Sequence, residues 1–338
     1  MFSLAESSET RGNKLTNETL LKLENISKVF KVRDKYNPGK PSYVHAVDSV
    51  NLAVRKGETL GIVGESGCGK TTTGRIIMRL LDASDGKIFY RGTDLTALKG
   101  KPLLKMRKKI QMVFQDPYAS LNPRLTIAEN VGEPLIIHKL SKSRADREEK
   151  VKQLLDHVGL DPGYYARYPF EFSGGQRQRI GIARALAVEP EIIIADEPVS
   201  ALDVSLQAQV INLMQDLKQK NNLTYIFIAH DLSVVKHISD RIAVMYLGRV
   251  VELADKRTLF NNPMHPYTQA LLSAIPVPTP GAKADRIVLQ GDVPSPVNPP
   301  GGCPFHPRCS KAFDTCRERM PELKQIAEGH YTACHLYE

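Results

Sequence analysis

Three groups of residues have the types and spacing to act on a polyphosphate. The first, Gly64-Glu65-Ser66-Gly67-Cys68-Gly69-Lys70-Thr71-Thr72, fits the phosphate-loop pattern G-x-x-x-x-G-K-[ST]. A polyphosphate needs several backbone N–H groups aimed inward, and a glycine-rich turn lets the backbone come that close. Lys70 can set an ammonium against the β- and γ-phosphates, and Thr71 can offer a hydroxyl to Mg²⁺. The following segment, Thr71 to Leu81, has helical spacing, so its positive end points at the anion. Cys68 holds a position where only a backbone N–H is needed. Its place beside a helix N-terminus predicts a lowered thiol pKa and alkylation that MgATP slows.

The second group, Ser173-Gly174-Gly175-Gln176, precedes the helical pattern Arg177 to Val188 and is again built for an anion: a hydroxyl, bare N–H groups and a positive helix end. One nucleotide rarely needs two such sites in one chain. The third group is Asp196-Glu197, at the end of the apolar run Ile192-Ile193-Ile194-Ala195. Carboxylates at the carboxyl end of a parallel strand can hold Mg²⁺ and orient or deprotonate an attacking water. His230 follows a similar strand, Thr224 to Ala229, and is read as a γ-phosphate contact.

The elements that must position these groups alternate strand and helix. Leu20 to Phe30 and Val50 to Val54 read as strands, with Lys31 to Tyr43 between them as a basic surface loop. Further strands are expected at Thr59 to Val63, Lys87 to Tyr90, Ile110 to Phe114, Glu191 to Glu197, Arg241 to Tyr246 and Arg249 to Leu253. Helices are expected over Arg144 to Val158, from Asp203 to Leu217 and over His265 to Ile275. This is an α/β pattern. Prolines 276, 278, 280, 294, 296, 299 and 300 mark an extended linker over the core. Residues 1–19 are polar and read as a flexible N-terminus.

The chain has 338 residues, 42% of them hydrophobic, with a formal charge of +9. That length suits one large core and a smaller domain. No apolar run reaches a membrane span, and Met1 to Glu6 lacks a secretory pattern, so the expected compartment is the cytosol. The charge alone is read as a solvated face plus nucleotide affinity. Four of the five cysteines, Cys303, Cys309, Cys316 and Cys334, lie in the tail with five, six and seventeen residues between them. These spacings miss the common zinc and ferredoxin patterns and support only a four-thiolate site.

The order and spacing of the phosphate loop, Gln115, Ser173 to Gln176, Ile192 to Glu197, Ser200 to Asp203 and His230 resemble the ATP-binding cassette (ABC) ATPases. Phe172 stands where that family usually has Leu. The segments Val113 to Arg124, Ala195 to Ser205 and His265 to Leu272 further resemble the oligopeptide/dipeptide importer ATPases, and among them the F-type subunit. The resemblance implies a phosphate-loop (RecA-like) core with an antiparallel β subdomain over residues 20–262, an inserted helical subdomain at about 116–180, and a small cysteine-containing domain over 263–338. It implies ATP sandwiched between the phosphate loop of one subunit and the SGGQ segment of another. By residue, it implies Glu197 as general base, Gln115 for Mg²⁺ and the attacking water, Thr71 and Asp196 for Mg²⁺, His230 for γ-phosphate sensing and Asp203 for communication across the interface. Phe30 is the adenine-stacking aromatic it implies, with Tyr43 second.

Through Asn298 to Cys303 and Arg308-Cys309, the resemblance also implies a structural [4Fe-4S] cluster on the four tail cysteines, zinc being the runner-up. The implied partners are a D-type ATPase subunit in a heterodimer (a homodimer in isolation), two membrane permease subunits contacted through Tyr118 to Thr126, and an extracytoplasmic peptide-binding protein. No nucleic acid is expected. The protein would sit peripherally on the cytoplasmic face of the inner membrane, its ATP hydrolysis powering import of dipeptides or oligopeptides. Two other readings use the same residues: a soluble ABC-type ATPase acting on nucleic acid or ribosomes, and a metal-dependent sensor centred on the tail.

Overall fold

The computed structural model describes residues 18–33, 41–275 and 286–338. Most of the expected flexible N-terminus, positions 34–40 of the expected surface loop, and Pro276, Pro278 and Pro280 of the expected linker lie outside the described residues.

Two sheets organise the chain. The strands are Thr19–Arg33 (β1), Pro41–Arg55 (β2), Thr59–Val63 (β3), Asp85–Tyr90 (β4), Thr93–Asp94 (β5), Ile110–Val113 (β6), Ile192–Asp196 (β7), Thr224–Ile228 (β8), Arg241–Tyr246 (β9), Arg249–Asp255 (β10), Lys324–Ala327 (β11) and His330–Thr332 (β12). The smaller sheet, β2-β1-β4-β5, is antiparallel. The larger runs β11-β12-β10-β9-β3-β8-β7-β6, parallel from β9 through β6 and antiparallel beyond β9.

The central strands β3, β7 and β8 are buried at every residue, which is why they read as unbroken apolar runs. Their alternation divides two cores. Ile192, Ile194, Ile226, Ile228, Leu60 and Ile62 face the small antiparallel sheet, packing with Leu21, Leu23, Val50 and Ile88. Ile193, Ala195, Tyr225, Phe227 and Val63 face the opposite side, with Ile127, Val131, Leu135, Val151 and Leu155 of the helices inserted between β6 and β7. Each large aliphatic side chain so buried contributes about 1.5–3 kcal/mol.

The inserted helices, Ile127–Ile137 and Arg144–His157, start on side-chain caps. Thr126 and Glu129 form a reciprocal capping box, and Ser143 accepts from the Asp146 N–H.

Two expectations change. The Lys31 to Tyr43 segment is not a loop throughout: β1 continues to Arg33 and β2 begins at Pro41, with Val32 paired to Ser42 and Arg33 to Pro41. Charged residues on a long, two-stranded edge hid the pairing. The tail is also not a detached small domain. β12 pairs with the open edge of β10, and Cys303, Phe305 and Cys316 belong to the same core as the central sheet. The described part of the linker runs beside the edge strand β2, where the His45 N–H donates to the Pro296 carbonyl at 2.9 Å. Among the described residues no helix is long and apolar enough to cross a membrane.

Candidate functional site

The carboxyl ends of β3, β7 and β8 converge on one cleft of ≈ 470 Å³. It is lined by Ser66, Gly67, Gly69, Lys70, Thr71 and Thr72 on one wall and by Gln115, Glu197 and His230 on the other, with Ala46 at the rim. A parallel sheet collects ligands at this end because the strand-to-helix turns leave N–H groups and side chains pointing outward there.

The loop's conformation depends on its glycines. Gly69 has φ +98°, and a Cβ there would come within 2.2 Å of the Ala46 carbonyl oxygen. Gly64, at φ +152°, would bring a Cβ within 2.2 Å of the Met245 carbonyl oxygen. Lys70 is buried, its Nζ donating to the Gly64 carbonyl at 2.8 Å and the Glu65 carbonyl at 3.0 Å. The helix that follows is Lys70–Ile77, shorter than the spacing predicts, because Arg79 takes a left-handed φ of +55°.

At the end of β7, Asp196 Oδ1 accepts from Thr71 Oγ1 of the loop at 2.7 Å. Burial raises the Asp196 pKa; the Thr71 hydrogen bond opposes that shift and the neighbouring Glu197 charge adds to it. A hydroxyl and a carboxylate, both hard oxygen donors beside a phosphate loop, fit Mg²⁺, which takes few protein ligands and keeps several waters. Glu197 Oε2 lies 3.0 Å from Gln115 Nε2 and 3.1 Å from His230 Nδ1. Gln115 and His230 thus converge on one oxygen of Glu197. Glu197 itself has φ +44°, an uncommon conformation for a non-glycine residue and one found where a site over-determines its backbone.

Cys68 departs from the sequence-based expectation. It is 4% exposed, and its thiol pKa is raised, since burial outweighs the attraction of the Lys70 ammonium. The helix N-terminus does not activate a thiol that the fold keeps out of water. Neither Phe30 nor Tyr43 is among the described residues that line the cleft. Phe30 pairs with Val44, and the Lys28 ammonium lies 5.2 Å from its ring centroid. Asp203 caps the helix Val204–Asn221, accepting from the Leu206 N–H at 2.9 Å, and that bond, with one from the Ser205 hydroxyl, lowers its pKa.

Ser173 to Gln176 stand outside the cleft. Ser173 is exposed and caps the helix Gly174–Leu186 through a reciprocal box: its hydroxyl accepts from the Gln176 N–H, and its own N–H donates to Gln176 Oε1 at 3.0 Å. The two anion-binding segments of this chain do not meet.

The tail cysteines lie near one another. Burial pushes the Cys303 thiol up to about 11, with Cys316, Cys334 and Cys309 each adding to the shift. Cys309 and Cys334 are raised first by burial and then by neighbouring tail thiols. The Cys303 N–H donates to the Cys316 carbonyl at 2.8 Å. Four thiols suit an iron–sulfur cluster or zinc by chemistry, but among the described residues no group of three or more His, Cys, Asp or Glu side chains is arranged to hold a metal ion.

Sequence reasoning missed three contributors at or behind the loop. Ala46 has no chemical signature. Tyr267 and Arg308 reach the loop from residues about two hundred positions away: the Glu65 N–H donates to the Tyr267 hydroxyl at 2.9 Å, and Arg308 holds the Glu65 carboxylate. Only the closed fold brings them there.

Residues 47–200 match the family model described as ABC transporter, and residues 251–316 match the one described as Oligopeptide/dipeptide transporter, C-terminal region. The chain is 57% identical over 323 residues to the oligopeptide transport ATP-binding protein AppF of Bacillus subtilis (strain 168), covering 95% of this chain and 98% of the relative. It is 55% identical over 314 residues to the putative oligopeptide transport ATP-binding protein YkfD of the same organism, covering 92% and 95%. A solved dimer of the ATP-binding cassette MJ0796, in a post-hydrolysis state bound to ADP and Pi, matches with TM-score 0.63 and 33% identity over 70% of this chain and 99% of that one.

Proposed function

Since the chain belongs to the ABC transporter family, in its oligopeptide/dipeptide transporter branch, we propose a division of labour between the two walls of its cleft. The protein is the ATP-binding, ATP-hydrolysing subunit of an oligopeptide importer. The observation that carries the reading of its mechanism is the convergence of Gln115 and His230 on one oxygen of Glu197, across from Lys70 and Thr71.

In this reading the loop N–H groups and Lys70 bind the β- and γ-phosphates, and Thr71, Asp196 and Gln115 hold Mg²⁺. The ion, when bound, neutralises charge on the phosphate oxygens. Glu197 takes the proton from a water whose oxygen attacks the γ-phosphorus. The bond from that phosphorus to the bridging oxygen breaks, and ADP keeps the electron pair. Gln115 and His230 orient Glu197, and His230 contacts the γ-phosphate. Phe30 stacks on adenine, and Asp203 links the two sites of a dimer.

Ser173 to Gln176 act on the ATP of a second chain, because they stand outside their own cleft and a solved relative of this fold is a dimer. An F-type subunit paired with a D-type ATPase rests on the sequence resemblance of Val113 to Arg124, Ala195 to Ser205 and His265 to Leu272, and the similarity to an oligopeptide transport ATP-binding protein supports two permease subunits, contacted through Tyr118 to Thr126, and a peptide-binding protein as partners. Its place is the cytoplasmic face of the inner membrane. A [4Fe-4S] cluster on Cys303, Cys309, Cys316 and Cys334 rests on the sequence resemblance and on the suitability of four thiolates as its donors, since the described side chains are not arranged around a metal ion.

Reconstitution with the permease subunits tests the reading. Peptide uptake that requires ATP and disappears with Lys70→Ala is the expected result. Failure of any membrane subunit to co-purify, with salt-sensitive RNA binding instead, would overturn it. For the tail, anaerobically purified protein should be brown and contain iron and sulfide, whereas colourless protein with stoichiometric zinc rejects the cluster.

A further inference from the structure

The phosphate loop is held from behind by the cysteine-bearing tail. Arg308 Nη1 and Nη2 donate to the two carboxylate oxygens of Glu65 at 2.7 and 3.1 Å, a bidentate pair between residues 243 positions apart. The Arg308 side chain is only 7% exposed and that of Glu65 28% exposed, so the pair is shielded from the screening that makes surface ion pairs weak. Glu65 is the second residue of the phosphate loop. Its N–H donates to the Tyr267 hydroxyl, and its carbonyl accepts from the Lys70 ammonium at 3.0 Å. The position of Glu65 therefore bears on where the phosphate-binding ammonium sits.

Arg308 is in turn held by the tail. Its N–H donates to the Phe305 carbonyl at 3.0 Å, and the adjacent Cys309 N–H donates to His306. Phe305 packs edge-on to Tyr246 with centroids 5.2 Å apart, and tilted against Tyr267 at 5.4 Å. Tyr246 closes β9, next to the Met245 carbonyl that abuts Gly64. Side chain, aromatic wedge and backbone thus converge on the loop's first two residues from one side.

We infer that Arg308 is a positioning residue for the phosphate-binding loop, so that the cysteine-bearing tail sets the affinity of the ATP site. The inference rests on the phosphate loop being the ATP site, and it gives the tail a role there that needs no electron transfer. An ordinary tertiary ion pair would stabilise the fold and leave nucleotide affinity alone, and the test separates the two.

MgATP binding and steady-state hydrolysis are measured for the full chain, Arg308→Gln, Glu65→Gln and the double variant, beside thermal unfolding. Each single variant should weaken MgATP binding about tenfold or more, the size expected for losing a shielded charge-assisted pair. KM for ATP should rise in parallel, kcat of Arg308→Gln at saturating ATP should stay near that of the parent, and the double variant should be no worse than the singles. Binding within about twofold of the parent in both single variants overturns the inference, even with a lowered melting temperature; so do additive losses in the double variant. Should Arg308→Gln fail to fold, Glu65→Gln decides alone by the same criterion. Lys70→Ala serves as control: undiminished MgATP binding there refutes the ATP-site reading rather than the role of Arg308.

Discussion

Replacing Glu197 by Gln tests the reacting wall of the cleft most directly. Gln has nearly the same shape, and its amide can still meet Gln115 and His230, which lie 3.0 and 3.1 Å from the carboxylate. The backbone at φ +44° is equally awkward for either residue, so stability should change by less than about 0.5 kcal/mol. What disappears is the proton acceptor. A positioned general base contributes about 10²–10⁴-fold, or about 2.7–5.4 kcal/mol of barrier. The Glu197 charge also helps raise the Asp196 pKa, so its removal makes Asp196 a better carboxylate for Mg²⁺. MgATP binding should therefore be retained or tightened while turnover falls by at least about a hundredfold. Single-turnover hydrolysis of radiolabelled ATP, with equilibrium binding on the same preparation, reads both quantities. Hydrolysis within about tenfold of the parent, with binding intact, would refute the base assignment.

Other perturbations address the loop and its surroundings. Gly69→Ala should abolish MgATP binding, because a left-handed residue there costs about 1–2 kcal/mol before its Cβ meets the Ala46 carbonyl at 2.2 Å; a binding isotherm checks it. Cys68 in native protein should react slowly with iodoacetamide at pH 7.5, with or without MgATP, and react fully on unfolding; mass spectrometry of the alkylated loop peptide distinguishes this from the rapid labelling of an activated thiol. His265 is 1% exposed, and burial depresses its pKa from 6.5 to about 3. The unfolded chain binds that proton first, so the stability due to the neutral ring is complete above pH 6.5 and is lost as pH falls toward 3. Its contribution to the difference between pH 7.5 and pH 5 is about 2 kcal/mol. His265→Asn keeps a helix-capping acceptor without the titration, so urea unfolding of this variant should show a shallower pH dependence by that amount.

Where chemistry depends on local backbone freedom, the sequence was readable. The glycine-rich loop and the acidic end of β7 carry their reason in consecutive residues and have the expected local conformation, whereas the Ser173 hydroxyl, read as an anion ligand, caps a helix that starts at Gly174. The central strands were equally legible, because burial on both faces leaves unbroken apolar runs. The β1–β2 extension was not, since two polar strands of a small sheet pair without an apolar alternation to announce them. Cys68 was misread for a related reason: position beside a helix end is local, whereas exclusion from water is not.

The phosphate chemistry, the carboxylates at the strand ends and the family could be read along the chain, because these depend on residue type and short spacing. What the groups face was set by the packing of the elements. It turned Gln115 and His230 onto Glu197, left Ser173 to Gln176 outside the cleft of their own chain, and joined β12 to β10. By the same closure it carried Arg308 across 243 residues to Glu65. Contacts of that separation are made by the packing of whole elements, and no local pattern of residues encodes them.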